Sequence, residues 1–157
     1  MTRLRGRANR GRRVHSSAPC GHWRTTTMIS SVRLDGTTAC MTIAGATDTE
    51  VFRTYVDAVL CPSLRPGDIV IMDNLAPHKS PPTLELITRS GAEVVFLPPY
   101  SPDFNPIEKM WSKLKAGLRK AEARTPDELD TAISAALETV TAKDARSWFA
   151  SCGYNFI

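Results

Sequence analysis

Residues Ile69–Ser80 read IVIMDNLAPHKS. The first four form a continuous apolar run behind a Pro66-Gly67 turn, the pattern of a short central strand in a parallel sheet. The run ends on Asp73. A carboxylate at the mouth of a core strand is costly unless something pairs with it. Open α/β sheets place ligand groups beyond the carboxyl ends of their strands, so Asp73 is a candidate site residue, with Asn74 and His78 in support. An Asx turn or a helix cap would account for the same aspartate, and a lone histidine is as readily structural.

Upstream, Thr25–Leu34 and Thr37–Ala44 are β-rich runs around Asp35-Gly36, a hairpin signal. Asp48 reads as a helix N-cap. Apolar residues from Val51 to Leu60 recur at helical spacing, predicting a helix over 48–60. Downstream, Pro82–Arg89 reads as a helix closed by Gly91, and Glu93–Leu97 as a second apolar strand. The proline-rich LPPYSPDFNP that follows is too rigid for regular structure. Helices are predicted from Asn105 to about Ala123, from Thr125 with a Thr125–Glu128 capping box, and from about Thr141 to Cys152, closed by Gly153. This order argues an α/β chain with a mixed sheet flanked by helices. Residues 1–24 form a basic N-terminal segment, 25–124 the core, and 125–157 C-terminal helices packed on it.

The best partner for Asp73 is Glu108, in NPIEKMW. The helix from Asn105 carries an apolar stripe of Ile107, Met110, Trp111, Leu114 and Leu118. Glu108 lies off that stripe, with Ser112, Lys115 and Arg119 on its own face. An acid at the helix start with basic groups along the same side suits a metal ligand beside a phosphate track. A capping box on Asn105 explains Glu108 equally well. Lys109, Lys113 and Lys120 read as a solvated face.

The 157 residues suffice for one domain with a core, and 42% hydrophobic content excludes a disordered chain. The net charge of +4 is unevenly spread. No acid precedes Asp35, whereas Arg3, Arg5, Arg7, Arg10, Arg12, Arg13, Arg24 and Arg33 do. Such an arm suits a polyanion such as nucleic acid, or is simply solvated. Cys20, Cys40, Cys61 and Cys152 show no CxxC pair and no clustering with histidine, which argues against zinc or a disulfide framework and for free thiols in a reducing cytoplasm. No stretch has the length of a transmembrane helix, and no secretory signal is visible.

Asp73 and Glu108 have 34 residues between them. With IVIMDNLAPHKS around the first and LPPYSPDFNPIEKMWSKLK around the second, the chain resembles the DDE transposases of bacterial insertion sequences related to the mariner elements, the insertion-sequence group six-thirty. The resemblance extends through RANRGRR, HWRTTTMIS and PGDIVIMDNL. It implies an RNase H-like fold and two Mg²⁺ (or Mn²⁺) ions held by three carboxylates, of which Asp73 would be the second and Glu108 the third. It implies DNA as partner, both transposon ends and target; by charge, Lys115 and Arg119 on the helix face and Arg10, Arg12 and Arg13 in the basic arm are the candidate phosphate contacts. A homodimer and a bacterial cytoplasmic, nucleoid-associated setting follow from the same likeness, with no membrane role.

The family's first acid lies on an opening strand ahead of the basic segment. Here no apolar strand ending in Asp precedes RGRANRGRR. Asp35 reads as a turn residue and Asp48 as a cap, so neither replaces it. The expectation is therefore an N-terminally truncated carboxyl-terminal part of a transposase lacking its first strand, whether a remnant, a miscalled start or the second product of a frameshift. Two further readings stand beside an active transposase domain. One is an inactive fragment that binds DNA or interferes with the full-length enzyme; the other is an RNase H-like hydrolase acting on RNA.

Overall fold

The computed structural model describes residues 6–15 and 25–155. Readings that rest on Arg3, Arg5, Arg24 and Cys20 lie outside the described residues. Contacts divide the chain into two units, residues 24–110 with 140–157 and residues 1–23 with 111–139.

The first is a strand unit. β1 (Thr26–Val32) and β2 (Thr38–Ala44) pair antiparallel, Val32 opposite Thr38. Asp35-Gly36 makes the turn as its chemistry predicts: Gly36 has φ +85°, and the Thr37 N–H donates to Asp35 Oδ1 at 2.9 Å. That bond holds the Asp35 carboxyl below the usual carboxylate range. α1 (Thr49–Tyr55) is capped by Asp48, whose Oδ1 accepts from the Val51 N–H at 2.9 Å. The predicted helix to Leu60 forms in a different way. Past Tyr55 it widens to a π turn over Val56–Leu60, where the Cys61 N–H reaches Val56 O, and then tightens to a 3₁₀ turn over Cys61–Ser63. Pro62 has no N–H to continue an α ladder.

β3 (Ile69–Met72), α2 (Pro81–Arg89) and β4 (Glu93–Phe96) form a parallel crossover, with Ile69 opposite Glu93 and Met72 opposite Phe96. Alternation sets the faces. Val70, Met72, Val94 and Phe96 join a core of Phe52, Tyr55, Val56, Leu60 and Ile87. Ile69 and Val95 are exposed on the other face, so β3 is covered on one side rather than both. Tyr55 ties α1 to β2, its hydroxyl donating to Ala39 O at 3.0 Å; burial pushes that phenol up to about 12.

The fold is mixed α/β of the RNase H-like kind, but its sheet lies in two pieces. Among the described residues β1 pairs only with β2, and β3 only with β4. Both pairs pack on the same core: Ile29 and Met41 come from one, Val70 and Phe96 from the other. Where β1 ends and β3 begins, a bidentate fork joins them. Arg33 Nη1 and Nη2 donate to Asp68 Oδ2 and Oδ1 at 2.6 and 2.9 Å. Arg33 holds the Asp68 carboxyl below its ordinary range, and the Arg65 N–H adds a third bond at 2.7 Å.

The other unit is helical. α3 (Pro106–Ala121) leaves its first turn in the strand unit and contributes the rest here, with α4 (Pro126–Glu138). The Thr125–Glu128 capping box forms as read. Gly117 and Ala136 allow close packing, since a Cβ at Gly117 would lie 3.5 Å from that of Ala136. Lys113 is not merely solvated: its Nζ donates to Thr139 O at the end of α4, at 2.6 Å. α5 (Ala142–Ser151) returns to the strand unit, capped by a Thr141–Asp144 box and closed at Gly153, φ +88°. Cys40, Cys61 and Cys152 are free thiols. No helix among the described residues is long and apolar enough to cross a membrane.

Candidate functional site

Because β3 and β4 are parallel and in register, the chain leaves both at the same end. Asp73 follows β3, and Leu97 follows β4. Asn74 ties the two exits together, its Nδ2 donating to Leu97 O at 2.5 Å. Asn74 thereby braces one loop against the other.

The Asp73 side chain is about half exposed, at 45%. Its Oδ1 accepts from the Leu75 N–H at 3.1 Å, an Asx turn. The same oxygen lies 2.6 Å from His78 Nδ1. That ring nitrogen is buried and makes no aligned hydrogen bond, so the contact is close but poorly directed. His78 packs against Phe52 on α1, the ring centroids 4.4 Å apart and the rings tilted by 41°. Asp73 Oδ2 has no hydrogen-bond partner among the described residues.

Glu108 sits in the first turn of α3, exposed. The capping-box alternative does not form. Asn105 caps the helix through Oδ1, 3.4 Å from the Ile107 N–H, but its own N–H donates to Pro102 O at 2.9 Å. The Glu108 carboxylate therefore has no hydrogen bond or ion pair among the described residues. A free acid at a helix N-terminus is favoured by the helix dipole without being consumed by it.

Three other acids of the strand unit are committed to local structure. Asp35 serves its turn, Asp48 caps α1, and Asp68 holds Arg33. Among the described residues, no three His, Cys, Asp or Glu side chains come together in a group able to hold a metal. Lys115 is exposed and Arg119 half-buried on the part of α3 that belongs to the helical unit. Arg10, Arg12 and Arg13 are exposed and fall in that same unit. Both acids belong to the strand unit; all five basic residues belong to the helical one. The Phe52–His78 stacking escaped the sequence reading, because a contact across 26 positions leaves no local pattern.

The sequence matches the DDE superfamily endonuclease family over residues 1–130, and the chain belongs to that family. A stretch of 42 residues is 48% identical to the human Histone-lysine N-methyltransferase SETMAR. That stretch is 27% of this chain and 6% of that protein, so the chain spans a small fraction of this relative's length.

Proposed function

We propose that the chain is the catalytic domain of a DDE transposase of a bacterial insertion sequence, cutting DNA strands and joining them to a target with divalent metal. The observation that carries this reading is, in a DDE superfamily endonuclease, one unengaged carboxylate oxygen, Asp73 Oδ2 at the end of β3, and one acid without a partner among the described residues, Glu108 at the start of α3. Carboxylate oxygens are the donors a hard cation such as Mg²⁺ takes. The donor type fits; two carboxylates do not suffice for two ions, and no third joins them among the described residues. Bound Mg²⁺ or Mn²⁺ supplies activation of a water or 3′-hydroxyl and stabilisation of the leaving oxygen. Asn74 and His78 hold the Asp73 loop in place. Lys115, Arg119, Arg10, Arg12 and Arg13 hold the phosphate backbone of transposon ends and target, in the bacterial nucleoid.

The test is a Mn²⁺ titration of wild type, Asp73→Asn and Glu108→Gln, followed by thermal unfolding. Wild type should gain stability with metal and each variant should lose most of that gain. An equal gain in all three would remove the shared site. A second reading, a DNA-binding fragment without catalysis, draws on the lack of a three-ligand cluster among the described residues. DNA binding without Mg²⁺-dependent nicking of supercoiled plasmid favours that one.

A further inference from the structure

The loop between β4 and α3 carries an aromatic without a partner among the described residues. Tyr100 is fully exposed, at 103%, and its backbone is left-handed, φ +56°. That conformation is uncommon for a residue with a side chain, and strained positions of this kind cluster where ligands are clamped. Its ring and hydroxyl have no partner among the described residues.

The loop around it is nevertheless braced. Pro98, Pro99 and Pro102 restrict the backbone. Asn74 holds Leu97 O, and Ser101 Oγ donates to Pro99 O at 3.2 Å. The Phe104 N–H closes onto Ser101 O at 3.2 Å, and Tyr154 reaches in from beyond α5 to donate to Phe104 O at 2.9 Å. The ring is thus presented on a stiff mount, on the connection that leaves the same sheet end as Asp73.

We propose that Tyr100 is a stacking platform for an unpaired base of the DNA on which this site acts. The inference rests on the DNA reading above. Charge selects the base rather than the backbone: from Ser90 to Glu108 the chain has no Lys or Arg, and it carries Asp103 and Glu108 nearby. Such a segment repels phosphates, whereas a base face needs only an aromatic surface. A single ring is also too small to anchor a protein interface, which needs roughly 800 Å² per partner.

The experiment measures binding of the full chain to a blunt duplex and to the same duplex with a three-nucleotide overhang containing 2-aminopurine. Wild type should prefer the overhang and quench its fluorescence. Tyr100→Ala should weaken overhang binding about tenfold, in line with the loss of one stacked base. It should leave blunt binding and the salt dependence unchanged, because no counterion is released by stacking. Tyr100→Trp should retain the preference. Tyr100→Asn, at ease in left-handed backbone, should lose it without strain. Equal weakening on both substrates, or none on either, overturns the platform while leaving the DNA reading intact. A wild-type chain that binds neither DNA removes both.

Discussion

Two acids leave the same fold in opposite circumstances. Asp73 is braced through one oxygen: its own loop closes on Oδ1, His78 lies against it, Phe52 packs on His78, and Asn74 ties the loop to the exit of β4. Among the described residues Glu108 is held by nothing except the helix that carries it. Asp73 is thus built into the stability of the strand unit, and Glu108 is spare. An acid engaged in the fold and one without a partner need experiments that separate stability from binding.

Phe52→Ala should give the largest effect. It removes a buried ring from the core and the surface against which His78 stacks, at a cost of about 3 kcal/mol. Urea unfolding measures this. The comparison sharpens if the same variant also lowers any metal stabilisation that depends on Asp73, and breaks if Asp73-dependent behaviour is indifferent to Phe52.

Asp68→Asn comes next, at about 2 kcal/mol near neutral pH, since it breaks a charged fork that is largely shielded from water. Asp68 is depressed in the folded state, so its contribution is present above the ordinary carboxylate range and is lost as pH falls through the folded value. The stability gap between wild type and variant should therefore close below about pH 4. A gap that stays constant from neutral to pH 3 would mean that the fork carries no net energy.

The smallest effect addresses the two acids directly. Asp73→Ala should cost about 1 kcal/mol through its lost turn bond, whereas Glu108→Ala should stay within about 0.5 kcal/mol of wild type. Equal costs in thermal or urea unfolding would erase the distinction.

Much of this molecule is local chemistry, and local chemistry is legible. Asp35-Gly36 turns, Asp48 caps, and Thr125 with Glu128 forms its box, because each bond joins residues two or three apart. The strand ending at Asp73 and the helix beginning near Glu108 were likewise readable, from an apolar run and a proline at the first helical position. The choice between cap and free acid at Glu108 was not, because it depended on where the Asn105 N–H found its acceptor. The left-handed Tyr100 had no signal either: tyrosine does not favour that backbone, and the bracing by Asn74 and Tyr154 comes from distant parts of the chain. The same holds for the Arg33–Asp68 fork, the Phe52–His78 stack and the division of the sheet into two pairs. By itself the sequence determined the elements, their order and the acids at their ends. Only the tertiary structure decided which side chains those acids meet, because pairing between strands and across loops depends on distances that residue spacing does not encode.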